Sequence, residues 1–243
     1  MAVAMWYYTF GTDTFKQYTI LHSAKKSLND LVKKILRVGI PSGFQGFSEI
    51  AAFYGAVVMM GWISIQHKAA HQIAIGYVSL TYMAATGIAA AGGIRVGAGM
   101  GERSKTAILK AGTTALIIGT AFMGICAVFL LIFNNELASY VKDEQVIMLA
   151  AQLIIWGGFF QLFDGIQCVS LGILRGMQDV NIPTLITIFA YWGVGLPMSY
   201  MLGFHYHLQH VGIWIGLTLA LFASAVLLSW RFYNKARNQT LNQ

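Results

Sequence analysis

Long apolar runs alternate with short polar joints along this chain. Six runs, at about residues 38–65, 69–94, 111–133, 146–174, 182–202 and 211–230, each reach the ~20 largely apolar residues that a helix needs to cross a bilayer. The pattern predicts an all-α membrane protein whose residues 38–232 form a six-helix transmembrane lobe. Gly39-Ile40-Pro41 opens the first run with a break that membrane helices tolerate. Pro183 starts the fifth run, and Pro197 is predicted to kink it. Residues 1–10 are apolar but half the length of a span, and read as the remnant of a preceding transmembrane helix or as an interfacial segment. Residues 11–37 form a polar connector in which Leu28, Leu31, Val32, Ile35 and Leu36 recur at helical spacing. Residues 233–243 are a polar tail.

Sorting the basic residues by alternate joints gives an orientation. One side collects Lys25, Lys26, Lys33, Lys34 and Arg37, then Arg95, Arg103, Lys105 and Lys110, then Arg175, then Arg231, Lys235 and Arg237. The other side holds only Lys68 and Lys142. Lysine and arginine accumulate on the cytoplasmic side of a membrane protein. A multi-pass protein of the plasma (inner) membrane with both ends cytoplasmic is therefore expected.

Composition agrees: 57% of the residues are hydrophobic and 10% charged, which excludes an ordinary soluble domain. The formal net charge of +7 does not mark a nucleic-acid partner, because the bases are spaced between apolar runs. The expected surroundings are the lipid bilayer. Cys126 and Cys168 fall inside apolar runs and are expected to be small packing residues rather than a disulfide.

Against this background two acids stand out, Glu49 and Asp164, because each lies inside a span. A charge at membrane depth costs roughly 2.5–3.5 kcal/mol on insertion scales and needs a partner, a cation, a proton or a wet cavity. Counted from the basic flanks Arg37 and Arg175 at a helical rise, both carboxylates lie roughly 16–18 Å deep, near the midplane and at one level. Gln45 precedes Glu49 by one turn, and Gln161 and Gln167 flank Asp164 at three-residue spacing. The expected arrangement is a shared polar pocket that binds a hard cation or a proton. Phe53, Phe160 and Tyr191 are expected either to line a cavity or to pack in the core. His205, His207 and His210 sit in a short loop and are not expected to bind metal, and His71 is expected to be a structural hydrogen-bonder. The Gly93/Gly97 and Gly172/Gly176 pairs point to close helix packing. No nucleophile–base constellation stands out, so an enzyme is not expected.

Four pieces of the chain resemble the C-terminal half of the multidrug and toxic compound extrusion (MATE) transporters, NorM-type branch. They are Gly39-Ile40-Pro41 followed by Glu49 and Phe53; Ala69-Ala70-His71-Gln72-Ile73; Arg95-Val96-Gly97 through Gly101; and Leu174-Arg175-Gly176-Met177-Gln178-Asp179 with Pro183. The resemblance implies one lobe of a twelve-helix antiporter that exports small organic, amphipathic cations. It implies a cation site at Glu49 and Asp164, occupied by sodium or a proton, and no cofactor. Phe160 stands where the family often has a tyrosine, which removes one oxygen ligand and leaves the proton as an alternative to sodium. The implied partner is an N-terminal lobe, and the chain by itself is expected to be a fragment or one product of a split gene. The rival readings are a flippase for lipid-linked precursors, a non-transporting fragment, and an intramembrane enzyme using the two acids.

Overall fold

The computed structural model describes residues 28–238. The readings of residues 1–10, of residues 11–27 of the connector and of the end of the tail lie outside that range. The chain divides at Ile40/Pro41 by compactness, and the site lies in the unit that begins at Pro41.

Among the described residues six helices are long and apolar enough to cross a membrane: Ile35–Ile63, Ile65–Gly101, Lys105–Ile132, Glu144–Gly176, Asn181–His205 and Gln209–Asn238. They are called the first to sixth spans below. All other regular structure among the described residues is helical too, a short Asn134–Ala138 helix lying between the third and fourth spans. The all-α, six-span reading of the hydropathy pattern therefore holds.

The joints are tighter than the polarity pattern suggests. Gln66, His67 and Lys68 look like a loop in the sequence, yet the helix resumes at Ile65. One extended residue, Ser64, makes the whole break, and its hydroxyl accepts from the His67 amide to cap the second span. Likewise, the second span continues through Arg95 and Gly97 to Gly101. Only Glu102, Arg103 and Ser104 separate it from the third, with Arg103 at φ 55° and Ser104 as the next cap. Asp143 caps the fourth span by accepting from the Gln145 and Val146 amides.

The fourth span is the centre of the lobe. It packs against the second, third and sixth, and its buried side chains run along nearly its full length. Its crossing with the second span depends on glycine. A Cβ on Gly176 would stand 2.2 Å from the Gly93 carbonyl oxygen, and one on Gly172 2.4 Å from that of Ala89. Backbones meet here directly, the close approach that small-xxx-small spacing permits.

The fifth span is irregular where Pro197 demands it. Phe189–Gly195 forms a π-helical segment just before Leu196–Tyr200, and Met201–His205 forms a second. Proline has no N–H to donate to the preceding turn, and widening the helix is one way to absorb that loss. The expected kink is thus a change of helical register. It turns Tyr191 and Trp192 toward the first span, where Trp192 Nε1 donates to the Ser48 carbonyl at 3.2 Å and to its hydroxyl at 2.9 Å.

Candidate functional site

The first span carries Glu49 and the fourth carries Asp164, and both line one cavity of about 450 Å³. Helical spacing brings Phe53 onto the same wall one turn after Glu49, and Phe160 one turn before Asp164. The rest of the lining comes mostly from one stripe of the second span: His71, Gln72, Ile75, Val78, Ser79 and Tyr82. Among the described residues no lysine or arginine lines this cavity. Phe53 meets Phe160 at 5.9 Å and Tyr191 at 5.7 Å between ring centroids, so aromatic rings cluster beside the two acids.

The two acids are held very differently. Glu49 Oε1 accepts from the Tyr191 hydroxyl at 2.9 Å and from Gln167 Nε2 at 3.2 Å, and Oε2 accepts from Gln45 Nε2 at 3.4 Å. Gln167 Nε2 also donates to the Tyr191 oxygen at 2.9 Å. Arg175 donates to Gln45 Oε1 at 2.8 Å and lies close enough to act on the Glu49 charge. The first, fourth and fifth spans thus converge on one carboxylate through neutral donors with a guanidinium behind them. Asp164 is 3% exposed and makes no hydrogen bond or ion pair with any described residue. The charged group that acts on it is Glu49, another acid.

Glu49 also sits at a junction. A second cavity of about 470 Å³ shares Gly46, Glu49 and Tyr82 with the first and continues past Gln45 and Cys168 to Arg175. Asp164 faces only the first. Glu49 is therefore the acid common to both spaces, and the second runs toward the basic end of the lobe.

Not every residue expected at this site is there. Gln161 is fully buried and turns away from the acids. It accepts from the Thr81 hydroxyl at 2.6 Å and donates to the Met123 carbonyl at 3.5 Å, bracing the second and third spans. Gln167, flanking Asp164 in sequence, serves Glu49 instead. Tyr191 is a hydrogen-bonding member of the site and is 1% exposed, so it presents its hydroxyl rather than its ring face. Tyr82 is a cavity residue the sequence reading passed over. Its signal is the recurrence of Gln72, Ser79, Tyr82 and Thr86 on one stripe of the second span. His71 faces the cavity too, and its Nδ1 accepts from Trp214 Nε1 at 3.1 Å. Among the described residues no group of three or more His, Cys, Asp or Glu side chains is gathered to hold a metal ion. A cation here would draw its ligands from two acids and neutral oxygens.

Comparison with known proteins gives consistent results. The family model described as MatE matches residues 41–201. The "probable multidrug resistance protein NorM" of Mesorhizobium japonicum is 35% identical over 230 residues, which cover 92% of this chain and 49% of that protein. The "multidrug resistance protein MdtK" of Proteus mirabilis is 33% identical, over 83% of this chain and 45% of that protein. This chain spans about half the length of the curated relatives it matches. In structure it aligns with the eukaryotic MATE transporter AtDTX14 at a TM-score of 0.82 and 22% identity, covering 97% of this chain and 54% of that one. It aligns with an outward-facing multidrug resistance MATE family transporter at 0.79 and 20% identity, over 86% and 47% of the two chains. The fold is that of about half of each of those chains, and with a family model matched across most of its spans this multi-pass membrane protein belongs to the MatE family.

Proposed function

We propose that this chain is the cation-binding lobe of a multidrug antiporter, that Glu49 and Asp164 bind the coupling ion, and that the exported compounds are amphipathic organic cations. The observation that carries the reading is Asp164, a carboxylate buried at mid-span, without a hydrogen-bond or ion-pair partner among the described residues, in the same cavity as Glu49. Such a group is stabilised by taking up a proton or a cation. The coupling ion is accordingly sodium or a proton. Binding at the pair favours one arrangement of the lobe and drug favours another, and that differential affinity is the coupling. Aromatic rings beside acids, with no base in the lining, suit an organic cation through charge and cation–π attraction. The same lining disfavours a flippase for lipid-linked pyrophosphates, which would need basic residues there.

Alternating access requires a second lobe, so an N-terminal lobe is the proposed partner, supplied by the same or another polypeptide. The distribution of Lys and Arg supports a plasma (inner) membrane protein with the 11–37 connector and the 233–243 tail in the cytoplasm. Replacing Asp164 with Asn in the two-lobe protein tests the site. Efflux of a fluorescent cation driven by imposed sodium or proton gradients should disappear at normal protein abundance, and the gradient that drives the wild type names the ion. Unchanged efflux would remove Asp164 from the mechanism.

A further inference from the structure

The joints between the first and second spans and between the fifth and sixth meet at the end of the lobe opposite the basic loops. There His67 faces His210, which is 8% exposed. The two imidazoles pack with centroids 4.9 Å apart and planes at 59°. Each ring uses one nitrogen on a neighbour. His67 Nδ1 meets the Ser64 hydroxyl at 2.7 Å, and that hydroxyl is itself fixed by accepting from the His67 amide at 3.2 Å. His210 Nε2 donates to Gln152 Oε1 of the fourth span at 2.9 Å. The other nitrogens, His67 Nε2 and His210 Nδ1, are shielded from solvent, and the Gln209 side chain lies within hydrogen-bonding reach of the His67 ring.

This is the outer-shell arrangement of metal-ligating histidines. One nitrogen is tied to a hydroxyl or amide oxygen, which fixes ring orientation and tautomer and leaves a lone pair on the other. Donation from Nε2 to Gln152 leaves the lone pair of His210 on Nδ1, and His67 presents a lone pair on Nε2 in the tautomer whose Nδ1 donates to Ser64. The spacing also fits. Two imidazoles sharing one zinc at about 2.1 Å with a near-tetrahedral angle have centroids about 5 Å apart.

We propose that His67 and His210 form a bidentate site for a transition-metal dication of the zinc type, with Gln152 and Ser64 as positioning residues. Two nitrogens are fewer than a structural zinc site offers, so the remaining positions go to water or to the Gln209 amide oxygen, and binding is reversible. Magnesium and calcium, which prefer all-oxygen shells, are excluded. Occupancy clamps the joint between the first and second spans to the start of the sixth, at the opposite end of the lobe from Arg175.

The test is calorimetric titration of the purified, tag-free chain with Zn²⁺, using Mg²⁺ as control. One Zn²⁺ per chain is expected, with no response to Mg²⁺. His67→Ala and His210→Ala should each weaken binding by about tenfold or more, and Gln152→Ala by about tenfold as an orienting partner. The neighbouring exposed histidines provide the contrast: a His205→Ala/His207→Ala double variant should bind like the wild type. Asp164→Asn should also bind like the wild type, which separates this site from the antiport reading. Helical content and melting temperature of each variant without metal show whether it is folded. Zinc binding that survives both His67→Ala and His210→Ala, or that disappears with the neighbouring exposed histidines, overturns the proposal, as does a folded wild type that binds no zinc.

Discussion

Asp164 and Asp179 lie on the same stretch of chain, one inside the fourth span and one in the turn that ends it, and both are buried, at 3% and 7% exposure. Asp179 is fully neutralised. Arg231 of the sixth span reaches it with two hydrogen bonds, Nε at 2.7 Å and a terminal nitrogen at 3.1 Å, and Lys235 adds a third cationic contact at 3.3 Å. Asp164 has no counter-charge and no donor among the described residues, and looks across a cavity at another acid. Burial therefore does not tell these two acids apart; the partner does. A bidentate arginine is the solution for a carboxylate that must stay charged and still. An unpartnered carboxylate facing a cavity is the solution for one that must exchange what it holds.

That contrast can be broken by substitution, beginning with the largest effect. Asp164→Asn should reduce ion-coupled efflux to background while leaving thermal stability in detergent equal or higher, because an uncompensated buried acid is removed. A loss of stability matching the loss of transport would make Asp164 a structural residue like Asp179. Asp179→Asn should do the opposite. It strands Arg231 and Lys235 and should lower stability by about 2 kcal/mol, measured by chemical or thermal unfolding, with efflux per folded molecule retained. Tyr191→Phe removes the hydroxyl shared by Glu49 and Gln167, a loss of about 1 kcal/mol that should appear as a several-fold weaker ion dependence of efflux. An unchanged ion dependence would mean that Glu49 does not need this donor. Lys235→Ala should be the mildest, within about 0.5 kcal/mol of wild-type stability, since the arginine pair remains.

Much of the fold was legible because a bilayer allows few solutions. Six apolar runs of spanning length became six helices, and only their ends moved. Gln66-His67-Lys68 reads as a loop because it is polar, but a single capped residue, Ser64, suffices to reverse the chain, and the polar triplet fits inside the first turn of the next helix. The acids were legible for an energetic reason, since a charge at mid-span is too costly to be incidental. Their partners were only partly so. Gln45 lies one turn from Glu49 and bonds to it, as helical periodicity requires. Gln161 and Gln167 are equally close to Asp164 in sequence, yet rotation of the fourth span against its neighbours sends one to Thr81 and the other to Glu49. Tyr191 could not be assigned a role from spacing, because its direction depends on a π-helical register set by a proline six residues later. Long-range pairings of this kind come from packing, which a one-dimensional pattern does not encode.

The most direct measurement is infrared difference spectroscopy of the purified chain as sodium is added or pH is stepped, comparing the wild type with Asp164→Asn and Asp179→Asn. A carboxyl band that responds to one of these ions, vanishes in Asp164→Asn and persists in Asp179→Asn is the predicted result. The same response in Asp164→Asn as in the wild type would contradict the account, because the unpaired acid would then not be the group that exchanges the ion.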